Sequence, residues 1–133
     1  MYLADLEKRI SERCCRPRLG SWRIDLRSGE ITWCDGMYHT LGHHRHSARL
    51  SVEFCASMHP APDRARIEAA MAEASKVDGG VFDVEAETFH SSGQIITVRI
   101  VGKVIHGEGK PAYMEGTLTE LREQRAMRGG LDS

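Results

Sequence analysis

Hydrophobic positions change period several times along the 133-residue chain. Near its start Leu3, Leu6 and Ile10 fall at i, i+3 and i+7, with Asp5, Glu7, Lys8 and Arg9 between them. That stripe predicts a short amphipathic helix ending before Pro17. Too short to be stable alone, it must lie on this domain's sheet or on a second copy. From Trp22 the period is two: Trp22, Ile24 and Leu26 take one face, Arg23, Asp25 and Arg27 the other. Ser28-Gly29 supplies a turn, and Ile31 and Trp33 carry the apolar face back. Asp35 then reads as the N-cap of a short helix through Met37, Tyr38 and Leu41, stopped by Gly42. Ser51 caps a second short helix with Val52, Phe54 and Cys55, ended by His59-Pro60. The main helix is expected from Asp63 to Val77. Ile67, Ala70, Met71 and Ala74 form its apolar stripe, and Gly79-Gly80 ends it.

Alternation returns with Phe82, Val84 and Ala86 against Asp83, Glu85 and Glu87. A turn at Ser91-Ser92-Gly93 leads into the longest strand, where Val98, Ile100 and Val104 share one face. The opposite face carries Arg99 and Lys103, suited to pairing with the acidic stripe, but also Ile95, Val101 and Ile105. A strand apolar on both sides needs cover on both. Leu3, Leu6, Ile10, Ile95, Val101 and Ile105 are therefore the candidate dimer or partner face. Gly107-Glu108-Gly109 turns the chain into a last strand with Ala112, Met114, Gly116 and Leu118 alternating. The predicted class is α+β: a five-stranded antiparallel sheet with short helices on one face, plus the N-terminal amphipathic helix. The expected organisation is helix and linker over 1–18, one domain over 19–121, and a polar tail over 122–133.

Charge narrows the partners. With 18 Lys+Arg against 19 Asp+Glu there is no electrostatic footprint for nucleic acid or an anionic membrane. No apolar run reaches a membrane span, and the N-terminus lacks the apolar core of a secretory signal. Of the four cysteines, Cys14 and Cys15 are adjacent, a poor geometry for bridging each other. Together with Cys34 and Cys55 they are expected to be reduced thiols in a cytoplasmic protein. Catalysis finds no frame: there is no nucleophile–base order, no glycine-rich phosphate loop and no HExxH. Asp83, Glu85 and Glu87 read as a wet strand face, not a carboxylate pair. His39, His43, His44 and His46 form a local cluster, His39 and His43 at the i, i+4 spacing of zinc or nickel ligands. Gly42 falls between those two and nothing adjacent completes a ligand set, so a solvated loop and no metal are expected.

Several of these pieces together resemble a PAS domain of the bacterial sensory type. Gly20-x-Trp22-x-x-Asp25-Leu26 with Gly29-x-Ile31-x-Trp33-x-Asp35 resembles that family's opening hairpin, and Tyr38-x-x-Leu41-Gly42 the end of its first short helix. Met58-His59-Pro60 with Asp63-Arg64 is similar to its His-Pro-x-Asp-Arg lead into the main helix, and Tyr113-x-x-Gly116-Thr117 to its closing strands. The match spans residues 19–121. It departs in two places: Ala61-Pro62 puts two residues where the family usually has one, and Glu120-Leu121-Arg122 stands where an Asp-Ile-Thr signature is common.

The resemblance implies a non-enzymatic sensory and protein-interaction module, a homodimer, signalling to a protein partner in trans. It also implies a cup that can hold a cofactor or ligand. Light-sensing flavin relatives carry an Asn-Cys-Arg motif, which Phe54-Cys55-Ala56 lacks; haem relatives often take a histidine from the main helix, and residues 63–77 contain none. No cofactor is therefore expected. Trp33, Tyr38, Phe54, Met58, Met71, Phe82, Val98 and Met114 are the candidate cup lining, or equally plain core. The alternatives are a sensor fragment of a histidine kinase or cyclic-nucleotide signalling protein, and a small cone-fold ligand-binding protein or enzyme.

Overall fold

A computed structural model describes residues 19–44 and 50–121. The expected N-terminal helix on Leu3, Leu6 and Ile10, the Cys14-Cys15 pair, His46 and the polar tail lie outside the described residues. The elements run β1 (Leu19–Asp25), β2 (Ile31–Trp33), α1 (Asp35–Leu41), α2 (Val52–Ser57), α3 (Ala61–Ala74), β3 (Val81–Phe89), β4 (Ile95–Gly107) and β5 (Lys110–Glu120). The strands form the expected five-stranded sheet in the order β2-β1-β5-β4-β3, every neighbouring pair antiparallel. The helices cover one face.

Local chemistry sets the boundaries. Leu26 was expected to continue β1, but the chain leaves the strand at Asp25. The Asp25 carboxylate accepts the backbone N–H groups of Arg27 (2.9 Å) and Ser28 (3.2 Å), and Gly29 (φ 79°) completes the turn. Leu26 is left 37% exposed. Asp35 is not the N-cap of α1; Cys34 is, and Asp35 sits within the first turn. Gly42 does end that helix in the left-handed conformation, φ 76°. Ser51 caps α2 as expected, its Oγ accepting from Phe54 N at 3.0 Å. The main helix begins at Ala61, two residues early, because Pro62 fits the first turn where no intrahelical N–H is needed. It ends at Ala74 rather than Val77, with the Ser75 hydroxyl donating to the Met71 carbonyl (2.7 Å).

The inner face of the sheet is organised by register. Trp33, Trp22, Gly116, Gly102 and Phe82 stand opposite one another in a single row across the sheet. Large rings at both ends and glycines between leave room for the indole to reach across neighbouring strands. A Cβ on Gly102 would lie 2.3 Å from Phe82 Cζ and 2.8 Å from Trp22 Cη2. Above this row pack Met37 and Leu41 of α1, Met58, and Ile67 and Ala74 of α3.

Candidate functional site

Between the sheet and the helices lies a cavity of about 70 Å³. Trp22, Ile24, Ile31, Trp33, Ile100 and Leu118 form its floor; Met37, Cys55, Met58, His59, Ile67 and Met71 form the helical side. None of these carries a fixed charge. Of the expected lining, Trp33, Met58 and Met71 contribute to this wall. Tyr38 and Phe54 stand at its rim, each packed on Trp33, with ring centroids 5.3 and 6.2 Å apart. Phe82, Val98 and Met114 are buried in the surrounding core. Sequence reasoning missed Trp22, although its alternation phase already matched Trp33. It also missed Met37 and Ile67, whose helical stripes carried the signal.

The helical side is tied down by backbone carbonyls at the α2–α3 junction. The Met58 carbonyl accepts both the Thr88 hydroxyl (2.9 Å) and the Phe89 N–H (2.7 Å). His59 Nδ1 lies 2.9 Å from the Glu87 carbonyl, which can only accept, so that nitrogen carries the proton. Burial lowers the His59 pKa, against the opposing pull of that hydrogen bond and of Asp63. Burial likewise pushes the Cys55 thiol up to about 11. Both side chains are thus neutral near pH 7. Two buried polar atoms, Trp22 Nε1 and Thr40 Oγ1, have no hydrogen-bond partner among the described residues.

The histidines do not form one loop. His39 lies in α1, whereas His43 packs at the rim against Phe54 (5.6 Å) and Trp33 (6.3 Å). Desolvation, then the proximity of His90, lowers the pKa of His43. His90, missed in the sequence, belongs to the β3–β4 turn and abuts Gly42, while Ser91 N donates to the Leu41 carbonyl at 3.0 Å. Among the described residues no group of three or more His, Cys, Asp or Glu is placed to hold a metal ion.

On the outer face of the sheet, Arg99 Nε donates to Asp83 at 2.9 Å, a cross-strand pair on the acidic stripe. Arg23 lies over the Tyr113 ring, 4.3 Å from its centroid. Ile95 and Phe89, opposite each other in register, are 47% and 39% exposed; Val101 and Ile105 are half-buried. Leu3, Leu6 and Ile10, the rest of the expected partner face, fall outside the described residues.

Residues 30–118 match the family described as the PAS fold. A sensory box histidine kinase/response regulator structure from Burkholderia thailandensis E264 has a TM-score of 0.71 at 20% identity, over 93% of this chain and 95% of that one. The PAS domain of a protein from Colwellia psychrerythraea gives 0.73 at 18%, over 92% and 99%. The N-terminal domain of a diguanylate cyclase with a PAS/PAC sensor from Marinobacter aquaeolei gives 0.70 at 17%, over 81% and 99%. A search of curated proteins finds no match. Profile and fold agree with the five-stranded sheet and its helical cover: the chain belongs to the PAS-fold family.

Proposed function

We propose that this chain is a non-catalytic sensory domain that reports through protein–protein contact on the outer face of its sheet, with a second copy of the chain as the first partner. The observation that carries this is the apolar content of that face. Ile95 and Phe89 stand side by side and exposed, and Val101 and Ile105 lie further along β4 on the same face, interspersed with Arg99 and Lys103, although the opposite face already has its own core. An apolar strip left over after the core is built is stabilised by a covering surface. The stripe Leu3, Leu6 and Ile10 supplies apolar positions of the kind that would join such an interface. In this reading a ligand or partner shifts the population between two packings of the sheet, and the outer face transmits the difference to a protein in trans. The sensor parts of histidine kinases and diguanylate cyclases among the structural neighbours support a place in signal transduction.

The cup's chemistry supports the non-catalytic assignment. Its ionisable residues are His59, with Nδ1 committed to a carbonyl, and Cys55, held as a thiol; no acid/base pair faces the cavity. A flavin or haem fits poorly. The cavity is well below the roughly 300–1,000 Å³ of drug-sized ligand sites. A thiol held protonated is ill suited to attack a flavin ring, and Ala61–Ala74 offers no histidine to iron. No helix among the described residues is long and apolar enough to cross a membrane, and the near-zero net charge favours neither nucleic acid nor an anionic bilayer.

Sedimentation velocity on the chain and on Val101→Glu tests the reading. A concentration-dependent dimer that Val101→Glu dissociates, with unchanged circular dichroism, is the expected result. A wild-type chain that stays monomeric at high micromolar concentration overturns the homodimer.

A further inference from the structure

β3 is an edge strand, bonded to β4 alone, and its free edge is covered over only part of its length. The Val104 N–H donates to the Gly80 carbonyl and the His90 N–H to the Gln94 carbonyl, which sets the phase of the strand. Even-numbered residues from Gly80 to His90 bond β4, so the odd-numbered ones turn their N–H and C=O groups away from the sheet. From the Glu85 carbonyl to the Phe89 N–H these outward groups are taken up by the α2–α3 junction and the start of α3. Arg66 Nη2 donates to the Glu85 carbonyl at 2.7 Å, and the Asp63 carboxylate accepts the Glu87 N–H. His59 Nδ1 donates to the Glu87 carbonyl at 2.9 Å, and the Met58 carbonyl accepts the Phe89 N–H at 2.7 Å. The N–H and C=O groups of Val81 and Asp83 and the N–H of Glu85 meet no partner among the described residues. A bare stretch of strand edge is a template for another strand, and folded proteins ordinarily cover it.

We propose that the Val81–Glu85 edge of β3 docks an extended segment of a partner protein as a further strand, one whose outer-face side chains are lysine or arginine. Charge selects that partner. Arg99 stands opposite Glu85 in register yet pairs with Asp83, so the exposed Glu85 and Glu87 carboxylates hold no hydrogen-bonded cation among the described residues. Basic side chains on the added strand would lie beside them, and opposite charges across neighbouring strands stabilise a sheet. Val81, 64% exposed on the same face, gives a lysine stem an apolar surface to lie on. A second copy of this edge fits badly. Antiparallel pairing centred on Asp83 sets the two Asp83 side chains against each other, and Arg66 already occupies the Glu85 carbonyl. The site lies on the rim of the sheet rather than its outer face, so it goes beyond the self-association proposed above and does not depend on it.

The test follows the amide resonances of the ¹⁵N-labelled full chain during titration with the acetylated and amidated peptide Thr-Lys-Val-Lys-Val-Lys-Thr. Two controls are a copy N-methylated at each lysine and a copy with glutamate in place of lysine. The parent peptide is expected to shift the Val81, Asp83 and Glu85 amides saturably and to slow their hydrogen exchange about tenfold near saturation. The N-methylated copy keeps the charge but loses the backbone donors, and should bind at least about tenfold more weakly. The glutamate copy should not bind. Val81→Pro removes an outward donor at the first position of an edge strand, where proline is tolerated, and should weaken the parent peptide about tenfold. If Val81→Pro fails to fold, the N-methylated copy decides. Equal affinity for the parent and N-methylated peptides, no saturable shift at these amides, or edge amides already protected in the chain alone, as a second copy would protect them, overturns the proposal. The dimer that Val101→Glu dissociates is measured separately, so the outer-face reading and this edge site fail separately.

Discussion

Trp22 of β1 and Phe82 of β3 meet over Gly102 on the inner face of the sheet, with ring centroids 6.0 Å apart and planes inclined by 32°. Two strands, β5 and β4, lie between β1 and β3, and the register partners they contribute, Gly116 and Gly102, are both glycines. The indole therefore reaches across the sheet and helps form the floor of the cup. A side chain at either glycine would break that arrangement.

Gly102→Ala should destabilise the domain by about 1–3 kcal/mol, the usual cost of forcing an extra carbon into a packed core. Gly116→Ala should cost more. Its Cβ would lie 1.8 Å from the Val101 carbonyl oxygen, where backbone rather than a side chain must move. Urea denaturation of the two variants beside the wild type measures both values and their order.

Ser51→Ala removes the side-chain acceptor of the Phe54 N–H and should cost about 0.5–2 kcal/mol. Because Phe54 packs on Trp33 and His43, the same variant should alter tryptophan fluorescence before global unfolding. A loss of stability with no early fluorescence change would separate the cap from the rim.

Some of this was legible in the sequence and some was not. The period-two runs put Trp22 and Trp33 on the apolar face of their hairpin and Phe82 on the apolar face of its own strand, and Gly42 and Ser51 announced the end of α1 and the start of α2, because these signals are local. Leu26 was misplaced since alternation continues past Asp25, while the Asp25 carboxylate captures two backbone N–H groups and turns the chain. The main helix starts before the expected Asp63, because Pro62 is accommodated in a first turn that opens at Ala61. The row from Trp33 to Phe82 depends on β1 lying beside β5, and His90 meets Gly42 from far along the chain. No local pattern reports such non-local pairings.

Acidification should destabilise the fold near the histidine range. His59 and His43 both have folded-state pKa values below the ordinary 6.5, for each chiefly through burial. The unfolded chain then binds more protons, so stability rises with pH across the interval between the folded and unfolded values. Their contribution is complete above about pH 6.5 and is lost as pH falls toward and through the folded values. Thermal melts from pH 8 to pH 5 should show a falling Tm below pH 6.5, and His43→Phe should flatten part of that slope. A Tm independent of pH over this range would contradict the burial of these rings.

Cys55 should resist alkylation in the native protein. With its thiol pushed to about 11 by burial, little thiolate is present at pH 8. Iodoacetamide labelling followed by peptide mass spectrometry should find Cys55 unmodified in buffer and fully modified in denaturant. Rapid native labelling would mean that the helical side of the cup opens readily.

The outer sheet face is the centre of the functional account, and site-specific photo-cross-linking tests it most directly. A benzophenone side chain is placed at Ile95 or Ile105 on that face, or at Val52, which is 53% exposed on the helical side. Cross-links between copies from Ile95 and Ile105, with none from Val52, are the predicted result. Cross-links from Val52 and none from either β4 position would contradict it.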